Sequence, residues 1–422
     1  MKLLKMRCVV PLFGLLLFSS TNISAEGVDI FGYAQITLTG NKDLADESVS
    51  PTTTFSVQEF DLFFQKTLSP KITMLADIQF NGNYSTSKSW GSMALDELWI
   101  KFSPYRQLNI KVGKLLPTFN SFNEIKTKFP LFPYIVRPIV YETSFQESLA
   151  LNRWAPEHAM MQIFGTQPIN NAKLDYAIFG GNSEFLETEV KGSGTLTLPG
   201  DDTTNFKLVG GRVGMRASGI KFGVSGTYDY ARNDVINKSV ADQNARIPSI
   251  NEHLPSFVPK LEIMPKLGDI PRARLGFDLS YTGHGLTIEG EYILVKQMPS
   301  DKEKANLDII VKGTTIPAGQ MKPYAVQTVG TDLTKSFWYV NVMYDFLDKF
   351  YASAGFSNQA DASDLLVSKD GVTGLLFCFG YRLTDNVTIK SEFTNIRNDI
   401  MSDEAAIELN QIIGQVAVSV FF

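Results

Sequence analysis

The chain has few cysteines, few histidines and no long hydrophobic segment beyond its N-terminus. Its 422 residues include two cysteines and three histidines. Removal of an N-terminal segment containing Cys8 would leave only Cys378, so no intrachain disulfide scaffold can form. No run of about 18 apolar residues follows that segment, which excludes a helical membrane protein. An apolar content of 44% argues against disorder.

Positive charge and catalytic motifs are scarce as well. The 39 Lys and Arg residues against 44 Asp and Glu residues give a net charge of −5, which does not favour a nucleic-acid partner. The chain lacks Gly-x-Ser-x-Gly, His-Glu-x-x-His, a phosphate-binding glycine loop and Cys-x-x-Cys. We therefore predict no enzyme, no cofactor and no metal site. His158 and His253 keep a barrel enzyme open as a remote alternative, beside a purely structural or adhesive barrel.

The N-terminus is typical of a secretory signal peptide. Lys2, Lys5 and Arg7 precede an apolar stretch, 9–18, and small residues end the segment at Ala25. We expect cleavage near Ala25, which makes 1–25 the signal peptide and 26–422 a single exported domain.

The exported part alternates apolar and polar residues with a period of two. The segment 72–81 is one example, and 60–65, 97–102 and 287–294 follow the same pattern. Such alternation indicates strands with one apolar face, whereas helical periodicity is scarce apart from a short turn near 403–408. A soluble sandwich or propeller would show the same alternation.

Short turns and longer polar segments separate these strands in strict alternation. Seven short turns and eight longer segments predict sixteen strands in an all-β, transmembrane antiparallel barrel, with short periplasmic turns and long extracellular loops. The turns are expected at 69–70, 103–105, 170–171, 218–219, 282–285, 347–348 and 384–386. The long loops are expected at 40–53, 82–92, 116–156, 183–204, 232–270, 297–335, 359–368 and 396–406.

Several motifs resemble Gram-negative outer-membrane porins, in particular the phosphate-selective-porin-like family. They are Phe31-Gly32-Tyr33, 95–100 (LDELWI), Val112-Gly113-Lys114 with Pro117 and Phe119, and 390–393 (KSEF). The final strand ends at Phe422, which resembles the signal read by the barrel assembly machinery. The resemblance implies a sixteen-stranded channel in the outer membrane, in contact with lipid and lipopolysaccharide and often trimeric. It also implies that a long third loop, here 116–156, folds inward and narrows the pore.

No run of lumen-facing arginines is visible, so phosphate selectivity is not carried over from the resemblance. The third loop has mixed charge, which favours a pore for small hydrophilic solutes and ions without strong anion preference. Selective passage of phosphate, another anion or a sugar stays open as the alternative. The candidate constriction residues are Glu124, Lys126, Lys128, Arg137, Glu142, Glu147 and Arg153. Pairing among themselves or with the barrel wall is the alternative role for each.

Five residues on the polar faces of strands two to four are predicted to face the lumen near this loop. They are Glu59, Asp61, Asp77, Glu97 and Trp99. Two roles are open for the carboxylates, lining the pore or holding the loop through hydrogen bonds, and holding is favoured. Trp99 is expected to pack under the loop, with sugar stacking as the alternative. Phe60, Tyr33 and Tyr344 are predicted to lie in the outward aromatic girdle.

Overall fold

The computed structural model describes ten stretches of the chain. They are 27–44, 50–84, 92–142, 154–183, 207–231, 234–256, 260–313, 334–361, 371–402 and 405–422. The predicted signal peptide, 1–25, and its cleavage site lie outside these residues.

Sixteen antiparallel strands form one closed barrel in which each strand pairs with its sequence neighbours and β1 pairs with β16. The predicted all-β barrel is therefore confirmed. The strands are β1 Asp29–Asp43, β2 Thr52–Ser69, β3 Ile72–Tyr84, β4 Ser92–Tyr105, β5 Leu108–Leu115, β6 Ala159–Ile169, β7 Ala172–Asn182, β8 Lys207–Ala217, β9 Ile220–Ala231, β10 Ile270–Gly283, β11 Leu286–Gln297, β12 Thr334–Phe346, β13 Phe350–Asp361, β14 Val372–Thr384, β15 Val387–Ser402 and β16 Ala405–Phe421.

The period-two alternation separates the two faces of the wall. On β10, Arg272 and Arg274 are buried on the inward face, whereas Phe277 and Leu279 are exposed on the outward face. Tyr344 is outward and 52% exposed near the end of β12, in the place predicted for a girdle residue. The girdle prediction for Tyr33 is wrong, because its side chain points inward and is 1% exposed.

The loop end of the barrel differs from the prediction at three places. The segment 396–406 is no long loop, because β15 continues to Ser402 and β16 begins at Ala405. The helical turn expected near 403–408 is likewise replaced by strand from Ala405 onward. Two helices missed by the sequence analysis, α1 Asp234–His253 and α2 Asp301–Gly313, lie in the loops after β9 and β11. No helix in the described stretches is long and apolar enough to cross a membrane.

Phe422 closes the seam between the first and last strands. Its backbone exchanges two hydrogen bonds with Gly32, at 2.9 and 3.0 Å. Its ring lies against Gly32 and stacks on the outward ring of Phe60 at 6.2 Å between centroids. A Cβ atom on Gly32 would overlap this ring and the carbonyl oxygen of Asp61, so the seam requires glycine there.

We predict that Gly32→Ala weakens seam closure by about 1–3 kcal/mol, the usual cost of overpacking. On gels of samples heated to increasing temperature, the folded and unfolded barrel migrate as separate bands. The temperature at which the folded band converts to the unfolded one should fall clearly. Gly40→Ala is the matched control on the same strand, because a Cβ at Gly40 meets no atom closer than 3.8 Å. Equal conversion temperatures for the two variants would contradict this role of Gly32.

Candidate functional site

The third loop leaves the wall after Leu115, and its described parts, 116–142 and 154–158, lie inside the barrel. Phe119, Phe122, Tyr134 and Ile135 in this segment are each at most 1% exposed. In the described part of the loop, 116–142, prolines interrupt any longer helix because they lack a backbone donor. Two short 3-10 turns form within it, Phe129–Leu131 and Ile139–Tyr141.

The first part of the loop is hydrogen-bonded to strands β6 and β9–β11. The amide of Asn120 donates to the Ser225 hydroxyl at 2.8 Å, and the amide of Phe122 donates to the Glu291 carboxylate at 2.7 Å. Glu291 also accepts from the Tyr141 hydroxyl at 2.8 Å, so one wall carboxylate binds the loop at two separate points. Three further wall contacts are Thr118 with Gln162, Ser121 with Asp278 and Tyr134 with Glu289.

The tip of the loop is held by two residues of β15 that point into the barrel. Glu392 accepts hydrogen bonds from the consecutive amides of Ile135 and Val136, the second at 3.0 Å. Lys390 is 1% exposed and donates to the carbonyl oxygens of Pro130 at 2.8 Å and Tyr134 at 3.4 Å. A carboxylate accepts from the two amides and an ammonium donates to the two carbonyls, so these four backbone groups of the tip have charged partners on the wall.

Additional contacts fix the tip to neighbouring strands. Ser353 of β13 donates to the carbonyl oxygen of Pro133 at 3.1 Å. Tyr33 of β1 donates to the carbonyl oxygen of Thr127 at 2.9 Å. The third loop therefore crosses the lumen from one wall to the other.

An aromatic cluster fills the space where the loop crosses. The Phe122 ring lies 4.8 Å from Tyr141 and 5.9 Å from Tyr339 of the wall, measured between centroids. Burial, followed by the charge of Glu291, raises the pKa of Tyr141 well above its usual value. A tyrosine hydroxyl with an ordinary pKa of about 10 is already protonated at physiological pH, so it donates to Glu291 there.

The predicted constriction residues have different surroundings. Arg137 is buried, forms an ion pair with Glu142 at 3.5 Å and donates to the carbonyl oxygen of Lys126 at 2.8 Å. Glu124 accepts from the Thr118 hydroxyl at 2.6 Å, and the Lys126 ammonium donates to Pro156. Lys128 is half-buried, with its ammonium 5.9 Å from the Phe63 ring. Glu147 and Arg153 lie outside the described residues.

The predicted lumen-facing residues all point inward but are buried. Glu59 accepts from Gln79 at 2.8 Å, and Glu97 accepts from the Trp99 indole at 2.8 Å. Asp61 and Asp77 are both 0% exposed. The register pairs Asp77 directly with Glu97, so like charges face each other across β3 and β4.

Basic residues of the loop lie near this acidic part of the wall. Lys128 lies within electrostatic range of Asp77 and Glu97, and Arg137 within range of Glu59. Trp99 is buried, and the Lys111 ammonium lies 4.6 Å from its ring centroid. This face of the indole is therefore occupied by a cation of the chain.

Arginines on β8 and β10 are the lumen-facing residues that sequence reasoning missed. The expectation that no run of arginines faces the lumen is wrong. Two arginines on β8 and two on β10 each lie an even number of positions apart, so each pair shares one face of its strand, which the sequence alone could have shown. Each guanidinium is paired with a wall carboxylate. The pairs are Arg212 with Asp278 at 2.6 Å, Arg216 with Asp175 at 2.5 Å, Arg272 with Asp229 at 2.5 Å and Arg274 with Asp229 at 3.4 Å.

We predict that Glu392→Gln releases the tip of the third loop. The side-chain amide nitrogen of the glutamine would face one of the two backbone N–H groups that Glu392 binds. A buried donor left without an acceptor lowers stability by about 1–3 kcal/mol. Amide hydrogen exchange within 127–137 should become faster while the barrel stays folded. Glu289→Gln is the matched control, because the single oxygen Oε1 accepts from both Tyr134 and Asn341 and is retained in glutamine. Equal protection in both variants would argue against this anchor.

Three solved porins illustrate what the barrel is similar to, each covering 94% of this chain. The anion-selective porin of Comamonas acidovorans has a TM-score of 0.54 at 10% identity over 99% of its own chain. OprB of Pseudomonas putida gives 0.54 at 12% identity over 94%, and OmpF of Salmonella typhi in complex with daunomycin gives 0.53 at 9% over 97%. No family model and no curated protein matches the sequence. These similarities show the fold, a closed sixteen-stranded barrel of the porin type.

Proposed function

We propose that the protein is an outer-membrane porin, a channel for passive diffusion of small hydrophilic solutes and ions. The observation that carries this proposal is the third loop crossing the lumen of a closed sixteen-stranded barrel. A barrel of this size encloses a lumen wide enough for transport. An internal loop pinned to several strands restricts that lumen to small solutes.

Mixed charge around the loop supports modest ion selectivity. Glu59, Asp77 and Glu97 on the wall lie near Lys128 and Arg137 of the loop, so fields of opposite sign partly cancel. In this proposal Lys126, Lys128 and Arg137, joined by Arg153, offset the charge of the buried wall carboxylates beside the narrowest part of the pore.

Selective transport of anions or sugars is less well supported. Every arginine found on β8 and β10 already binds an aspartate, so these arginines offer little uncompensated positive charge to a phosphate. The indole of Trp99 carries the Lys111 ammonium on its face, where a sugar ring would stack.

We further propose that the barrel lies in the outer membrane and assembles with other copies of itself. After cleavage near Ala25, the outward apolar residues of the barrel would contact lipid and lipopolysaccharide, with short turns in the periplasm and long loops outside the cell. Phe422 would be read by the assembly machinery before it closes the seam with Gly32. A homotrimer is the proposed assembly.

Deleting 129–137 from the third loop should raise single-channel conductance severalfold, because resistance concentrates at the narrowest part of a pore. Heat-modifiable gel mobility supplies the control that the barrel still folds. Unchanged conductance would place the constriction elsewhere. In the same recordings, a salt gradient should give a reversal potential near zero without block by phosphate. Strong anion preference with block by phosphate would instead favour the selective channel.

A further inference from the structure

Helix α1 carries an asparagine ladder that binds an extended segment of the same loop, 260–269. Three asparagines at seven-residue spacing each pair with both the N–H and the C=O of one residue, and those residues are three apart. The pairs are Asn251 with Leu261 at 2.9 and 2.7 Å, Asn244 with Met264 at 2.8 and 2.8 Å, and Asn237 with Leu267 at 2.8 and 2.8 Å. Seven helical residues and three extended residues both span about 10 Å, so the two repeats stay in register.

Helix α2 packs against this pair and completes a small core. Gly268 donates its amide to Glu303 of α2 at 2.9 Å, and Asn306 donates to the carbonyl oxygen of Lys266 at 3.2 Å. The core consists of six side chains that are each at most 5% exposed. They are Val240, Met264, Leu267, Ile270, Leu307 and Ile310. We call α1, the segment 260–269 and α2 the outer loop unit.

The outer loop unit lies over the lumen side of the wall. Ile270 is the first residue of β10, and its side chain lies on the same inward face of the strand as those of Arg272 and Arg274. Because the Ile270 side chain belongs to the core of the unit, that core sits inside the rim. Arg272 and its partner Asp229, the next inward pair, are 5% and 0% exposed.

We propose that the outer loop unit is a second size filter, which covers part of the loop-end mouth above the third loop and limits the largest solute that enters. This inference rests on the proposed channel function and deepens it. The ladder uses neutral amides, which neither titrate nor respond strongly to salt.

The test is the triple variant Asn237→Ala, Asn244→Ala and Asn251→Ala, which removes six hydrogen bonds while alanine preserves helix α1. Poly(ethylene glycol) of graded mass is added to one side of a planar bilayer. From the loop side, the largest polymer that still lowers conductance should shift to a higher mass. From the other side the limit should not move, and small-ion conductance should change by less than twofold. The matched control changes three exposed residues of the same helix, Asp242→Ala, Arg246→Ala and Glu252→Ala.

Limited proteolysis within 234–269 supplies a second readout on the same samples. If the triple asparagine variant is cleaved faster but the largest polymer that lowers its conductance is the same as for the intact protein, the proposal of a size filter is wrong. A variant that resists cleavage as the intact protein does would overturn the ladder as the element that holds the unit. If the intact protein conducts no ions, the channel proposal itself fails, which is distinguishable from both outcomes.

Discussion

Hydrogen bonds between buried wall side chains and the backbone of the third loop are the interaction on which the rest of the structure depends. Glu291 and Glu392 each accept from loop groups, and Lys390 donates to loop carbonyls. A loop inside a barrel has polar backbone groups that must find partners away from bulk water. The wall supplies them from several strands, including Ser225 of β9 and Tyr33 of β1 on opposite sides of the barrel, so the position of the loop follows from the barrel.

The barrel and the loop depend on each other in turn. Inward aromatic residues such as Phe337 and Tyr339 would be exposed in an empty lumen, yet they are 0% and 2% exposed here. The loop covers them with Phe122 and Tyr141. A water-filled porin wall is expected to be polar, so this apolar patch belongs to the docking of the loop and not to the solute path.

The sequence predicted the barrel well because strand alternation and the turn rhythm are local signals. The inward placement of Glu59, Asp77 and Glu97 follows from the same alternation. Helix α1 was missed because its periodic residues are asparagines, which apolar periodicity does not detect. The anchors Glu291, Glu392 and Lys390 could not be assigned, since their partners lie 150 to 260 residues away along the chain. The inward position of the arginines on β8 and β10 could have been predicted from strand alternation alone. Their pairing with aspartates could not, because it depends on how neighbouring strands are aligned.

Hydrogen exchange tests the central claim, that the third loop is fixed across the lumen by wall carboxylates. The protein would be measured in detergent micelles, with amide protection resolved along the loop. The amides of Phe122, Ile135 and Val136 should exchange as slowly as amides of the neighbouring strands, because each is buried and hydrogen-bonded to the wall. Exchange of these three amides at the rate of an exposed loop would contradict the account.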